Sequence, residues 1–402
     1  MNIWGLPKET DFDKFMKTEG EMLTLFDQLK PTLSKIKNWM QREAVLTVAW
    51  GLAIISVFFV PLDRKYLEYV DFSTLGLLFC LMSVMAGLRR MGIFYNFAAG
   101  LLRRVKDCRQ LAGILIFLCF FSSMLITNDV ALITFVPFAL EILHMAKKDD
   151  MVIPVVVMQT IAANLGSMLT PVGNPQNLYL YARSQMSAGA FILLMLPYVC
   201  AAGVGFLIFL LSVKKEKLQV PDTFPERVAS KRKVILYACL FILCLFTVAR
   251  VLPFWIPLAM VCIVLFFGDR PVFMAVDYSL LLTFVGFFVF IGNMGRIPAF
   301  ERLIASVLEG REVLAAAGVS QLISNVPAAL LLSGFSQKWE LLIIGVNIGG
   351  LGTLIASMAS LISYKQIAVS HPQMKGAYFR YFTIANLIFL AGLLGVYMLM
   401  SW

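Results

Sequence analysis

Long apolar stretches separated by short polar clusters run through the chain from about residue 44. Apolar runs cover residues 44–62, 72–88, 188–213, 234–252, 254–268, 279–295 and 381–401, most of them near the roughly 20 residues that a helix needs to cross a bilayer. Two more, near 152–180 and 340–364, are interrupted by Gly, Pro and Asn, residues that break helices. This pattern predicts an all-α polytopic membrane protein. The first 43 residues differ. Phe12, Phe15, Met22, Leu23, Phe26 and Leu29 recur at a helical period among Lys, Asp and Glu, which predicts an amphipathic surface helix, and no signal-peptide core is present.

Two further apolar segments predict hairpins that turn back without crossing. The first is 111–126, then Thr127-Asn128-Asp129, then 130–145, with arms of 16 residues. Such arms are about 24 Å long, short of a hydrocarbon core about 30 Å thick. Arg109 before the pair and Lys147 and Lys148 after it place both ends on one face. The second, 313–323, Ser324-Asn325-Val326-Pro327 and 328–335, has shorter arms and is expected to enter from the opposite face. Non-helical backbone at such tips survives only where it is buried in protein or lines a watery cavity.

An internal repeat accompanies the hairpins. Val70-Asp71-Phe72-Ser73 returns 206 residues later as Val276-Asp277-Tyr278-Ser279, and Asn164-Leu165-Gly166-Ser167-Met168-Leu169-Thr170 aligns with Asn347-Ile348-Gly349-Gly350-Leu351-Gly352-Thr353. Asp71 and Asp277 are expected as helix N-caps. An odd number of crossings separates the copies, so the second is inverted, the plan of many secondary transporters. The chain then divides into an amphipathic segment (1–43), a first repeat (44–213), a basic linker (214–233) and a second repeat (234–402), each repeat holding a re-entrant hairpin and a discontinuous transmembrane helix.

Composition agrees, with 60% hydrophobic and 14% charged residues against about 25% charged in soluble domains. The net charge of +10 is not a nucleic-acid stripe, because the bases sit between apolar runs. Counted from Lys30 onward on alternate sides they fall 23 against 8, which places the N-terminus in the cytoplasm and the C-terminus outside a plasma or inner membrane. The seven cysteines include no Cys-x-x-Cys and read as small core residues. No metal-ligand cluster, Walker A loop, His-Glu-x-x-His or Gly-x-Ser-x-Gly is present, which counts against ATP hydrolysis and leaves an intramembrane enzyme a distant alternative. A non-transporting assembly factor would not need two broken helices.

The candidate chemistry lies where the helices break. Gly166, Ser167, Thr170, Gly173, Asn174 and Asn177 interrupt the first broken helix, and Gly349, Gly350, Thr353 and Ser357 the second. Free N–H groups at one half-helix end suit an anion and free C=O groups at the other suit a cation. Thr127, Asn128, Asn164, Ser324, Asn325 and Asn347 would flank the same place. Asp129 is the one carboxylate expected deep in the membrane, with no Lys or Arg beside it. It reads either as a coupling group for a proton or cation or as the cap of the second hairpin arm. Glu141 and His144, one helical turn apart, read as an interfacial pair.

At these residues the chain resembles the ion-transporter superfamily, which holds citrate transporter-like permeases, divalent anion/sodium symporters, arsenical pump membrane proteins and a class of sodium/proton antiporters. The resemblance covers nearly everything after residue 44. It implies secondary active transport of a small anion such as citrate, a dicarboxylate or an inorganic oxyanion, coupled to Na+ or H+ and without other cofactors. Sodium/proton antiport or arsenite efflux are the alternatives. It also implies a homodimer in which hairpins and broken helices form a unit that moves as an elevator against a scaffold. The symporter branch carries Ser-Asn-Thr at both tips. Here the third position is Asp129 in one and Val326 in the other, closer to the arsenical or citrate-like branches.

Overall fold

The computed structural model describes Ser34, Met40 and residues 43–102, 105–218 and 230–401. The amphipathic helix expected in 1–43, apart from those single residues, and the middle of the 214–233 linker lie outside the described residues. Among the described residues the chain is helical, with one isolated bridge between Asp107 and Lys217 and no strand. The first half holds α1 (Ala44–Val57), α2 (Phe72–Arg90), α3 (Ile93–Leu102), α4 (Cys108–Ile126), α5 (Asn128–Met145), α6 (Val152–Ser167), α7 (Pro175–Ser184) and α8 (Ala188–Ser212). The second holds α9 (Lys231–Val248), α10 (Trp255–Gly268), α11 (Tyr278–Met294), α12 (Pro298–Leu308), α13 (Glu312–Ile323), α14 (Asn325–Ser333), α15 (Trp339–Ile348), α16 (Met358–Ser370) and α17 (Lys375–Met400).

The two halves start alike. Asp71 accepts the Thr74 N–H at 3.0 Å and Asp277 accepts the Leu280 N–H at 3.0 Å, so both are the expected N-caps. Their backbone angles nearly coincide, φ −81° and ψ 86° against φ −80° and ψ 85°. Helices α3 and α12, which the apolar pattern did not reveal, follow α2 and α11 at matching positions, and α12 bends 106° from α11. At 10 and 11 residues they are too short to cross.

Packing exchanges elements between the halves. Helix α1 packs on α11, and α10 on α2; Trp50 Nε1 donates to the Leu282 carbonyl at 3.1 Å and Asn293 Nδ2 to Ser56 Oγ at 2.8 Å. Inside this frame α4 packs on α6 and α13 on α15, while α7 lies on α14 and α15, and α16 on α5 and α6. Helices α8 and α17 lie side by side. Cys80, Cys108, Cys119 and Cys244 are core residues as expected, but Cys200 and Cys239 are exposed on α8 and α9.

The first hairpin is longer than its apolar run. Asp107 caps α4 by accepting the Gln110 N–H at 2.9 Å, and the turn at Thr127 admits Asn128 and Asp129 into the first turn of α5. The arms therefore have 19 and 18 residues, about 28 and 27 Å. Both belong to the six described helices long and apolar enough to cross a membrane, or seven when α11 and α12 are joined. Arm length, expected to mark this segment as re-entrant, does not do so. The start of the linker is tied to the hairpin's base: the Cys108 N–H donates to the Glu216 carbonyl at 3.0 Å, and Lys148 pairs with the Glu216 side chain. That hydrogen bond from Lys148 holds the Glu216 carboxyl below its ordinary value.

Candidate functional site

Each hairpin turns on a non-glycine residue at positive φ. Thr127 has φ 69° and ψ 149°, and Ser324 has φ 76° and ψ 156°, a region that a side chain occupies at a cost of about 1–3 kcal/mol. The matched turns aim the next N–H at the break of the neighbouring helix. The Asn128 N–H donates to the Gly173 carbonyl at 3.1 Å and the Asn325 N–H to the Ala356 carbonyl at 2.9 Å. One turn earlier Thr170 Oγ1 donates to the Met124 carbonyl, and Thr353 Oγ1 to the Gln321 carbonyl at 3.2 Å. Both hairpin tips thus end where a helix is interrupted.

The interruptions are built from Asn, Gly and Ser. Asn174 Oδ1 accepts the Asn177 N–H at 2.9 Å and starts α7, with Pro175 in its first turn; Ser357 holds the corresponding position before α16. Asn177 Nδ2 reaches the carbonyls of Ser167 (3.3 Å), the last residue of α6, and of Thr170 (3.2 Å) beyond it. In the second half the same work falls to Gln321, whose Nε2 donates to the Gly349 and Leu351 carbonyls at 2.9 and 2.8 Å. Gln321 was not singled out by the sequence; an amide three residues before a hairpin tip was the available clue. Gly166 and Gly349 permit close approach: a Cβ on Gly166 would lie 2.0 Å from the Phe120 carbonyl oxygen, and one on Gly349 2.7 Å from Ala317 Cα.

The side chains then link the halves. Asn164 Oδ1 accepts from Asn128 Nδ2 at 3.2 Å and from Ser357 Oγ at 3.0 Å. Asn174 Nδ2 donates to Ser167 Oγ and to Asn347 Oδ1, both at 3.1 Å, and Asn347 Nδ2 donates to Asn177 Oδ1 at 2.6 Å. All seven residues are buried. Ser324 and Asn325 are buried at the second tip, where Asn325 lies against Gly350. Thr170 is only half-buried and Thr353 is exposed; they brace the breaks and do not join the centre.

Three buried polar atoms around the first tip have no hydrogen-bonding partner: Asn128 Oδ1, Asp129 Oδ1 and Asn164 Nδ2. Asp129 is not the N-cap of its helix, since Thr127 occupies that position and Asp129 lies within the first turn. Nor is it alone. It lines a cavity of about 140 Å³ together with Thr127, Asn174, Asp277 and Arg89, because the last turn of α2 faces the hairpin. An adjoining cavity of about 330 Å³, more open, shares Arg89 and Ile133 with it and adds Arg90, Tyr95 and Glu141. Glu141 and His144 are not a pair: His144 Nδ1 lies 3.3 Å from Asp149, and Glu141 faces this outer cavity.

Two pseudo-equivalent hairpins docked on two broken helices, with caps exchanged between halves, form the kind of interior seen in carriers. Comparison with known sequences decides the family, since residues 36–337 match the citrate transporter family. The chain belongs to the citrate transporter family. It is therefore an integral, multi-pass membrane transporter. It is 36% identical over 302 residues to an uncharacterised transporter of Methanocaldococcus jannaschii, covering 74% of this chain and 81% of that one. It is 30% identical over 332 residues to the inner membrane protein YbiR of Escherichia coli, covering 80% and 86%. The silicon efflux transporter LSI3 of Oryza sativa is 31% identical over 185 residues, 46% of this chain and 38% of that one.

Proposed function

We propose that this citrate-transporter-family member is a secondary active permease for a small anion, coupled to a Na+ or H+ gradient, with its site between the first hairpin tip and the two breaks. The observation that carries this reading is the set of unpartnered atoms around that tip. Leaving buried polar groups unpaired costs about 1–3 kcal/mol each, so their natural partners are ligands. Asn128 Oδ1 and Asp129 Oδ1 are oxygens that suit a hard cation, or in the carboxylate's case a proton; Asn164 Nδ2 is a donor that suits an anion's oxygen. A bound cation also lowers the cost of moving Asp129 through an apolar surround.

Hairpins α4–α5 and α13–α14 with the broken helices α6–α7 and α15–α16 form the moving unit, entering from opposite faces. Helices α1, α2 and α9–α11 form the scaffold. The chain works as a homodimer by an elevator motion, with its N-terminus cytoplasmic and its C-terminus outside a plasma or inner membrane. Efflux is the second reading, supported by the partial likeness to a silicon efflux transporter and by the Asn-Asp tip; sodium/proton antiport would use the cation positions alone.

Proteoliposomes offered citrate, C4-dicarboxylates, sulfate or arsenite under imposed Na+ or proton gradients test the reading. Accumulation of one anion that collapses with one gradient is expected. Folded protein that carries none of them in either direction under either gradient overturns it.

A further inference from the structure

Arg89 is half-buried at the end of α2, and among the described residues its side chain makes no hydrogen bond or ion pair. A half-buried guanidinium with no carboxylate bonded to it has its donors open to a solute in the cavities it lines. Its position is as informative as its isolation. Arg89 and Ile133 are the two residues that line both the outer cavity of about 330 Å³ and the inner one of about 140 Å³. Whatever passes from one to the other passes this pair.

The other charges in the two cavities divide the passage. The outer cavity holds Arg89 and Arg90 against Glu141, a positive balance; the inner one holds Arg89 against Asp129 and Asp277, a negative balance. An anion is drawn in as far as Arg89 and repelled beyond it while both carboxylates are ionised. A cation has the opposite preference. Anion and cation are therefore favoured at different ends of one passage, and Arg89 holds the anion until a proton or cation at Asp129 lets it move inward.

We propose that Arg89 is the anion-selecting residue of this transporter, standing at the neck between the two cavities and presenting its guanidinium to a small carboxylate or inorganic oxyanion on its way inward. The planar fork of donors matches the two oxygens of such a group, which an ammonium matches only as a point charge. The proposal rests on reading the chain as an anion permease and adds the entry route and the residue that chooses the sign of charge.

The test reads access, so it needs no knowledge of the transported substrate. In full-length protein freed of its native cysteines, Ile133→Cys reports the neck, and its reaction rates with a negatively and a positively charged methanethiosulfonate of similar size are compared in membranes. The anionic reagent is expected to react faster. Arg89→Gln should cut the anionic-to-cationic rate ratio by at least about fivefold, the effect of one unit charge a few ångströms away in a wet cavity, and Arg89→Lys should largely keep it. An unchanged ratio in Arg89→Gln, or a wild-type preference for the cationic reagent, overturns the proposal. Labelling by neither reagent overturns it too, because the neck would be closed to solutes. Anion uptake is measured separately: uptake with an unchanged labelling ratio removes Arg89 alone. A ratio that falls as expected in a protein that carries no anion keeps Arg89 as the selecting group and removes the permease reading.

Discussion

Asn174 of the first half donates through Nδ2 to Asn347 Oδ1 of the second at 3.1 Å. Ser357 of the second half answers by donating to Asn164 of the first at 3.0 Å. The residue that starts each second half-helix thus meets the asparagine near the end of the other half's first half-helix. Asn347 also donates to Asn177 Oδ1 and to the Ile343 carbonyl. Asn347→Ala should therefore leave Asn174 and Asn177 short of buried partners and destabilise the protein by about 1–3 kcal/mol per orphaned group. Thermal melting in detergent measures this; an unshifted melting temperature would mean that the network contributes nothing.

Close approach at Gly166 gives a second expectation. Its Cβ would lie 2.0 Å from the Phe120 carbonyl oxygen, whereas a Cβ on Gly203 in α8 meets nothing within 4 Å. Gly166→Ala should lower stability by about 1–3 kcal/mol through overpacking, and Gly203→Ala should raise it by up to about 1 kcal/mol through helix propensity. Equal effects of the two substitutions on the same melting assay would contradict the packing described here.

Asp129→Asn separates coupling from structure. Since Thr127, not Asp129, holds the cap position of α5 and Asp129 Oδ1 has no partner, the amide should leave folding intact. Accumulation against a gradient and its dependence on Na+ or pH should be lost, while exchange of the anion down its own gradient survives. Proteoliposomes with imposed gradients decide the matter, and wild-type accumulation in the variant would falsify the coupling role.

The hairpin tips differ in access. Thr127 is half-buried and lines the inner cavity, while Ser324 is 1% exposed. In a cysteine-free background Thr127→Cys should react with polar thiol reagents from the side of Arg90 and Glu141 in the conformation described, and Ser324→Cys should resist them there and react from the opposite face in the alternate state. Labelling of both from one face would contradict inverted hairpins.

Much of this arrangement was legible in the sequence because lipid demands long apolar runs and because polar interruptions in them are conspicuous. The two tips, the two breaks and the two Asp caps all stand where the pattern placed them. What stayed hidden was of three kinds. Helices α3 and α12 are too short to register as crossing runs, and α12 follows a bend of 106°. The first hairpin gained residues at its base from the Asp107 cap, whose reach a hydropathy pattern does not register. Arg89 read as one more base beside the membrane; only the packing of α2 against α5 brings it and Asp277 to the cavity of Asp129, a relation between segments far apart in the chain.

The exchange of caps between halves has a consequence for biosynthesis. Asn174 emerges from the ribosome 173 residues before its partner Asn347, and Asn164 193 residues before Ser357. At roughly 5–20 residues per second the gap is about ten to forty seconds. During that time Asn174 and Asn164 lack their second-half partners. A nascent chain halted in the middle of the second half should therefore be a client of membrane quality control, and a truncation after α8 should not substitute for the whole.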